Sequence, residues 1–314
     1  ADPDDVNLRM RLIGALIRVG RGREALALFY QGLDQNRNDP KFLEFWPILA
    51  MTSGIDPYID ELRNLAIGRG LSQEVVRDLF SRAEPFAFQF IEIKPGKFLM
   101  GSPETEEDRD SDERQHEVEI EKPFAMKATG VTQLEYFLAT GTNPSNFRQE
   151  RYCPGSYMVV GGIFLCINNP VEQVTWDDAH GFMEGYRLPT EEEREYATRA
   201  GTDTRFSYGN DPTYENLGEY AWYDQNSNNQ THPVAQKKPN PWGLFDMHGN
   251  IFEWCEDLYD RSYGLARAEL NSRRVFRGGG WLSARQLWRS AYRIYALPAY
   301  SILNVGFRVV KAKK

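Results

Sequence analysis

The chain has 314 residues, 41% of them hydrophobic and 26% charged, so it is long enough for one large domain or for a large domain and a small one. Its net charge of −8 argues against general binding to nucleic acid or to anionic membranes, and no apolar run approaches the roughly 18 residues of a membrane span. Three cysteines are too few for a disulfide framework, and four histidines leave little material for a metal site.

Residues 1–85 are predicted to form a small helical domain. Apolar residues recur there at helical spacing, Gly20 ends the first helix, and Ser72 is a candidate N-cap of the last one. The pattern resembles tetratricopeptide-type hairpins but lacks a repeat of about 34 residues. We therefore expect this domain to pack on the rest of the chain and to carry no chemistry. The predicted helices cover residues 8–16, 24–33, 56–67 and 72–80.

Residues 86–314 change to short strands, turns and few helices. Residues 88–93 and 97–100 are predicted to form a hairpin around Pro95-Gly96. Beyond Gly201 the sequence is dominated by turn residues and aromatic residues, which predicts much irregular structure. Three helix starts carry capping boxes. These are Thr132 with Glu135, Thr175 with Asp178, and Thr190 with Glu193.

A series of motifs runs in fixed order through this second part. In chain order they are Phe98-Leu99-Met100-Gly101-Ser102, Asn169-Pro170-Val171-Glu172, Val174-Thr175-Trp176-Asp177-Asp178-Ala179, Arg187-Leu188-Pro189-Thr190-Glu191, Trp242-Gly243-Leu244-Phe245-Asp246-Met247, Gly249-Asn250-Ile251-Phe252-Glu253-Trp254, Arg277-Gly278-Gly279-Gly280-Trp281 and Gly306-Phe307-Arg308. The series resembles the formylglycine-generating-enzyme (sulfatase-modifying factor) family over about residues 88–312. The resemblance implies an α+β fold of the C-type-lectin-like class, with twisted sheets, two main helices and much irregular structure.

Comparison with the family's pattern indicates that the family's chemistry is absent here. The resemblance implies that the oxidases of this family bind copper through two cysteine thiolates that follow the Arg-Gly-Gly motif. Those two positions are Ser283 and Trp288 here, and no cysteine follows Arg277. The family's iron-dependent sulfoxide chemistry needs histidines partly from an N-terminal helical domain, and no histidine precedes His116. We therefore predict a catalytically inactive member of the family that has no catalytic residues.

Other candidate ligands are scattered. We expect structural roles for the four histidines, a buried, inert thiol at Cys255, and a solvated acidic loop over residues 104–113. Cys153 and Cys166 flank an inserted segment and are either paired, in an oxidising compartment, or free. We predict no cofactor, with calcium as the open alternative, because the resemblance offers only three weak ligand candidates. They are Asn216, Asn250 and Glu253. Arg277 and Arg308 are expected to anchor loops through buried carboxylates or carbonyls.

Residues 281–308 combine a fixed frame with interleaved positions of unrelated chemistry. Their apolar residues follow neither the period of a strand nor that of a helix. This segment resembles the variable region of diversity-generating-retroelement proteins, in which adenines of a template are randomised on a C-type-lectin scaffold. The frame consists of Trp281, Arg289, Ser290, Ala291, Arg293, Pro298, Gly306, Phe307 and Arg308. The candidate contact residues are Leu282, Ser283, Arg285, Leu287, Tyr292, Ile294, Tyr295, Ala296, Leu297, Ala299, Tyr300, Ser301, Ile302 and Leu303.

The leading hypothesis is a ligand-binding protein whose partner is a protein or another macromolecule, with no nucleic acid, no membrane span and a monomeric state. Tyr, Leu and Ile at these positions would present large contact area at low entropy cost. The alternatives are an oxidoreductase-like or accessory domain that uses unrecognised residues, and an ordinary C-terminus whose apolar residues are buried. The first residues lack signal-peptide features, so the sequence allows a cytoplasmic location, or the cell surface if a leader was removed.

Overall fold

The computed structural model describes residues 6–35, 39–52, 54–261 and 272–311. Within these ranges no helix has the length and apolar character needed to cross a membrane. The first part is entirely helical. Its helices are α1 (Val6–Arg18), α2 (Gly22–Gln35), α3 (Pro40–Ala50), α4 (Pro57–Gly68) and α5 (Gln73–Ser81).

Helix α3 is the one helix of this part that the sequence did not predict. It contains Pro47, and a proline inside a helix removes one backbone hydrogen bond. The helix forms because Asp39 caps it, accepting a hydrogen bond from the Lys41 N–H at 2.9 Å. Burial of Phe42 and Trp46 then outweighs the proline.

The second part is a mixed fold of short elements. Its helices are α6 (Gln133–Thr140), α7 (Trp176–His180), α8 (Glu191–Arg199) and α9 (Leu217–Tyr220). Its strands are β1 (Phe90–Ile93), β2 (Gly96–Met100), β3 (His116–Ile120), β4 (Phe124–Lys127), β5 (Tyr157–Val160), β6 (Ile163–Cys166), β7 (Tyr186–Arg187), β8 (Phe252–Leu258), β9 (Arg274–Arg277), β10 (Ile294–Ala296), β11 (Val305–Phe307) and β12 (Val310–Lys311). They form two four-stranded sheets, β1-β4-β12-β7 and β10-β9-β8-β11, and two hairpins, β2-β3 and β5-β6.

The predicted hairpin over residues 88–100 is wrong. Strand β1 pairs with β4, and β2 pairs with β3 in a different sheet. The Pro95-Gly96 signal does mark a change of direction, but it passes the chain from one sheet to another. A turn signal is local, whereas the strand partners come from more than 15 residues further along the chain. All three predicted capping boxes are present, at the starts of α6, α7 and α8.

The hairpin β5-β6 is closed by a disulfide between Cys153 and Cys166, whose Cα atoms are 5.5 Å apart. The structure thus pairs the two cysteines that the sequence left either paired or free. Cys255 is buried as expected, and burial raises the pKa of its thiol well above the usual value. A buried neutral thiol is a poor nucleophile.

The helical part and the mixed part share one hydrophobic core. Trp46 of α3 packs against Phe88 with ring centroids 5.3 Å apart, and Tyr30 of α2 packs against Phe86 with ring centroids 6.3 Å apart. A buried polar contact also joins the two parts. The Tyr58 hydroxyl donates to Glu135 Oε1 at 2.7 Å.

Tyr58→Phe tests this junction. The variant leaves Oε1 of the buried Glu135 carboxylate without its donor, so we expect the free energy of unfolding to fall by about 1.5–3 kcal/mol. Urea denaturation should show one transition, because the core is shared. Tyr300→Phe is the control, since that ring is 49% exposed and should change little. Equal stability of the two variants would contradict the assignment.

Candidate functional site

The segment 281–308 is attached to the fold largely through its main chain. The Gln173 N–H donates to the Ile302 carbonyl at 3.1 Å, and the Trp176 N–H donates to the Pro298 carbonyl at 2.9 Å. The Trp281 indole N–H donates to the Leu303 carbonyl at 2.9 Å. These bonds use carbonyl groups, so they do not depend on which side chains stand at residues 298, 302 and 303.

Buried arginines fix the same segment from within. Arg289 forms two hydrogen bonds of 2.6 Å with Glu113. Arg293 binds both oxygens of Glu191 at 2.6 and 2.8 Å. Such bidentate pairs set the orientation of both partners, so the path of the backbone between the two arginines is fixed.

Arg277 and Arg308 anchor the ends of the segment, as predicted. Arg277 binds Glu195 and also donates to the Ala291 carbonyl at 2.8 Å. Arg308 binds Glu253 Oε1 at 3.0 Å and donates to three main-chain carbonyls. Burial alone would raise the pKa of Glu195 and of Glu253, but the neighbouring guanidinium groups outweigh it and both pKa values are lowered.

The acidic loop of residues 104–113 is not simply solvated, which corrects the sequence interpretation. Glu113 is fully buried, accepts the Ser102 hydroxyl at 2.7 Å and pairs with Arg289. Glu106 also contacts Arg289 at 2.9 Å. Arg289 lies more than 170 residues further along the chain than either glutamate, so no local pattern could show these two pairs.

Frame and candidate positions differ in burial. Eight of the nine frame residues are buried, and Pro298 is partly buried. Ser283 is the candidate that does not reach the surface, with 8% exposure, because its N–H closes a tight turn onto the Gly280 carbonyl. The exposed candidates are Leu282, Arg285, Tyr295, Leu297, Ala299, Tyr300 and Ser301. The partly buried candidates are Leu287, Tyr292, Ile294, Ala296, Ile302 and Leu303.

The exposed candidates include large apolar side chains. Leu282 and Leu297 are 54% and 55% exposed, and Tyr295 is held by residues outside the segment. The Tyr259 ring lies 3.8 Å from the Tyr295 ring, and the Arg273 guanidinium lies 5.2 Å from it. Sequence reasoning missed Tyr259 and Arg273, because both precede the segment and neither belongs to a motif.

A family model described as "Sulfatase-modifying factor enzyme 1-like domain" matches residues 77–313. The chain belongs to this family. The solved structure of Treponema denticola variable protein 1 is similar to it, with a TM-score of 0.59, 25% identity, and coverage of 71% of this chain and 95% of that one. These matches confirm the predicted α+β, C-type-lectin-like fold and the likeness to a variable protein.

The curated relatives of this chain carry names that describe different activities. It is 29% identical over 256 residues to serine/threonine-protein kinase pkn1 of Chlamydia caviae, covering 74% of this chain and 39% of that one. It is 32% identical over 163 residues to the formylglycine-generating enzyme of Streptomyces coelicolor, covering 45% and 52%. It is 34% identical over 170 residues to inactive C-alpha-formylglycine-generating enzyme 2 of Bos taurus, covering 49% and 52%. The chain thus spans about half the length, or less, of these relatives.

The residues at the family's copper positions do not fit copper. Ser283 offers a hydroxyl, and Trp288 is fully buried in a cluster with Phe206, Leu217 and Ala221. The Trp288 carbonyl accepts a hydrogen bond from His248 Nδ1 at 2.8 Å. Burial lowers the pKa of His248 to about 4, so its ring is neutral at pH 7 and serves the scaffold, as predicted for the histidines.

The calcium candidates do not form a calcium site either. Glu253 contacts Arg308, and its Oε2 also accepts from Arg194 at 2.8 Å, so a cation would face two guanidinium groups. The Asn250 amide is bonded to the backbone of His232 through both its oxygen and its nitrogen. The Asn216 N–H donates to Asp211, at the start of α9. In the described part of the chain no group of three His, Cys, Asp or Glu side chains is placed to hold a metal.

Arg277, Arg289, Arg293 and Arg308, each paired with a buried carboxylate, form what we call the arginine clamp. The substitution Glu113→Gln tests it. The variant keeps the size of the side chain but leaves the Arg289 charge buried with only Glu106 beside it. We expect a loss of roughly 3 kcal/mol in the free energy of unfolding, measured in urea. Glu107→Gln is the matched control in the same loop, because Glu107 is 74% exposed and should change little. Equal losses in the two variants would argue against the clamp.

Calcium removal tests whether Glu253 serves as the partner of Arg194 and Arg308 and not as a calcium ligand. We expect the melting temperature to be the same in EGTA and in millimolar calcium, because arginines already neutralise this carboxylate. Glu253→Gln should lower the melting temperature in both buffers, since it leaves Arg194 and Arg308 unpaired. A melting temperature that falls in EGTA and recovers with calcium would contradict this assignment.

Proposed function

We propose that the chain is a catalytically inactive binding protein, and that its ligand contacts the exposed side chains of residues 281–308. The observation that carries the proposal is the difference in burial between the frame, of which eight of nine residues are buried, and the interleaved candidates, of which seven are exposed. A ligand would therefore meet the candidate side chains and leave the frame untouched.

The attachment of the segment supports this function. Arginine–carboxylate pairs and main-chain carbonyls hold its path, and none of these contacts uses an exposed candidate side chain. Substitutions at those positions should therefore alter the surface without altering the fold. Exposed Leu and Tyr side chains on a rigid backbone suit protein recognition, because they bury large apolar areas while losing little conformational entropy.

The candidates differ in how freely they could vary. Tyr292, Ile294, Ala296 and Ile302 pack partly against the hydrophobic core, so volume changes there would carry a packing cost. Exposed positions carry no such constraint. We accordingly place diversification chiefly at the seven exposed positions and withdraw Ser283 from the contact set.

The comparisons and the site chemistry support an inactive scaffold in different ways. One similar solved structure is named a variable protein and one curated relative is named inactive, while another relative is named an enzyme. The discriminating residues are Ser283 and Trp288, since neither a hydroxyl nor an indole can replace a thiolate as a ligand of copper(I). We therefore propose binding, without oxidase chemistry.

A displayed library tests this function with a model protein in place of the natural ligand. The seven exposed positions are randomised, the library is displayed on the surface of yeast, and variants are selected for binding to hen lysozyme. We expect display to persist and binders of micromolar affinity, about −8 kcal/mol, to emerge. Loss of display would show that the positions are structural.

The control library randomises an equally exposed surface of the same fold. Its seven positions lie on and beside the hairpin β2-β3 and are Lys94, Lys97, Leu99, Glu117, Glu119, Glu121 and Lys122. We expect fewer and weaker binders from this library, because it lacks the fixed aromatic and apolar surroundings of the segment. Equal yields from the two libraries would remove the special role of residues 281–308.

A further inference from the structure

Strand β10 lies at the edge of its sheet, next to β9. In the described part of the chain no strand pairs with its other side. An edge strand presents main-chain N–H and C=O groups that can pair with an added strand. The three residues of β10, Ile294 to Ala296, are also candidate contact residues.

The register shows which main-chain groups of β10 face outward. The Tyr259 N–H donates to the Arg273 carbonyl at 2.8 Å, so Arg273 directs its backbone toward the β8 side. Backbone groups of successive strand residues alternate in direction, so Val275 also faces β8, while Arg274 and Phe276 face β10. Tyr295 lies opposite Val275. Its N–H and C=O therefore point away from β9, toward the open edge.

The Tyr295 side chain lies beside this edge and contacts two other side chains. Its ring stacks 3.8 Å from Tyr259, whose hydroxyl donates to Asp112 at 2.6 Å. The Arg273 guanidinium lies 5.2 Å from the ring. A tyrosine fixed on two sides loses little entropy when it is covered, which is a property of binding hot spots.

The C-terminal part of the sequence is basic, and one of its arginines lies at this edge. From Asn271 onward the sequence contains ten Lys and Arg and no Asp or Glu. The clamp and a contact with Asp56 pair five of them with carboxylates, namely Arg277, Arg289, Arg293, Arg308 and Lys311. Arg273 is exposed, forms no ion pair with a described carboxylate and lies beside the Tyr295 ring. This charge favours a ligand with acidic side chains.

We infer that the ligand is an acidic polypeptide segment that binds in extended conformation as a strand along the free edge of β10. The inference rests on the proposed binding function and specifies the class of ligand. The bonds to the Tyr295 main chain are the same whatever side chain stands there, so they supply affinity that survives diversification. A three-residue edge offers few such bonds, and Leu297 and Tyr300 would therefore supply much of the specificity.

Peptide selection tests this inference. Phage-displayed random dodecapeptides are selected on the immobilised full chain, and enriched peptides are synthesised and measured by fluorescence anisotropy. We expect Asp or Glu in the enriched sequences, and a scan of single N-methylated residues should weaken binding at least tenfold at one position, the residue that pairs with Tyr295, since Tyr295 is the residue of β10 whose main chain faces the edge. Arg273→Gln should weaken binding severalfold, whereas the exposed Arg77→Gln on α5 should not.

A pair of variants separates main-chain from side-chain recognition. Tyr295→Ala removes the ring, while Tyr295→Pro removes the ring and the outward N–H. The fold should survive both, because this N–H does not bond to β9 and proline is tolerated on the outer side of an edge strand. Circular dichroism and the melting temperature provide the check. We expect the proline variant to bind the selected peptides at least tenfold more weakly than the alanine variant.

The outcomes distinguish this inference from the proposed function. Equal binding by the alanine and proline variants, or an N-methyl scan in which no single position is sensitive, overturns strand addition. Failure to enrich any peptide, while the surface library still binds folded lysozyme, also overturns it and leaves the binding function standing. If the surface library itself yields no binders, the binding function fails.

Discussion

The fold of the C-terminal segment depends on the buried pairing of its arginines with distant carboxylates. Arg289 with Glu113 and Arg293 with Glu191 are the central pairs, both deeply buried. Pairs of this kind add little net stability compared with apolar packing, but breaking one leaves an uncompensated charge in the interior. Their contribution is to hold the backbone between the two arginines in the observed path, since any path that separates a pair leaves a buried charge without its partner.

This constraint separates the tasks of holding the segment and of forming its surface. The clamp faces inward, and seven of the interleaved side chains are exposed, so changes at those seven positions would leave the contacts that hold the backbone in place. The same separation is compatible with a scaffold that keeps its fold without the cysteine pair that the resemblance assigns to the oxidases. Trp288 stands at one position of the copper pair and has become part of the core, packed beside Tyr223 at 5.0 Å. The side chain at this position therefore lies in the hydrophobic interior and offers no thiolate to copper.

The sequence predicted features that are local or that depend on motif order. The capping boxes of Thr132, Thr175 and Thr190 are local, and each formed as expected. Motif order predicted the fold class and the anchoring roles of Arg277 and Arg308. The predictions that failed concern contacts between distant parts of the chain. Strand β1 pairs with β4, and Glu113 pairs with Arg289. Tyr259 and Arg273 were missed for the same reason, because only the folded sheet brings them beside Tyr295.

An open strand edge that carries apolar side chains is a liability, because copies of the same edge can pair with each other. Two features limit that risk at β10. The strand has only three residues, and Pro298 follows two positions later, where its carbonyl is already bonded to the Trp176 N–H. Exposed Arg273 adds like-charge repulsion between two copies. The short edge and the charge of Arg273 both disfavour pairing with a second copy, whereas an acidic strand would complement that charge.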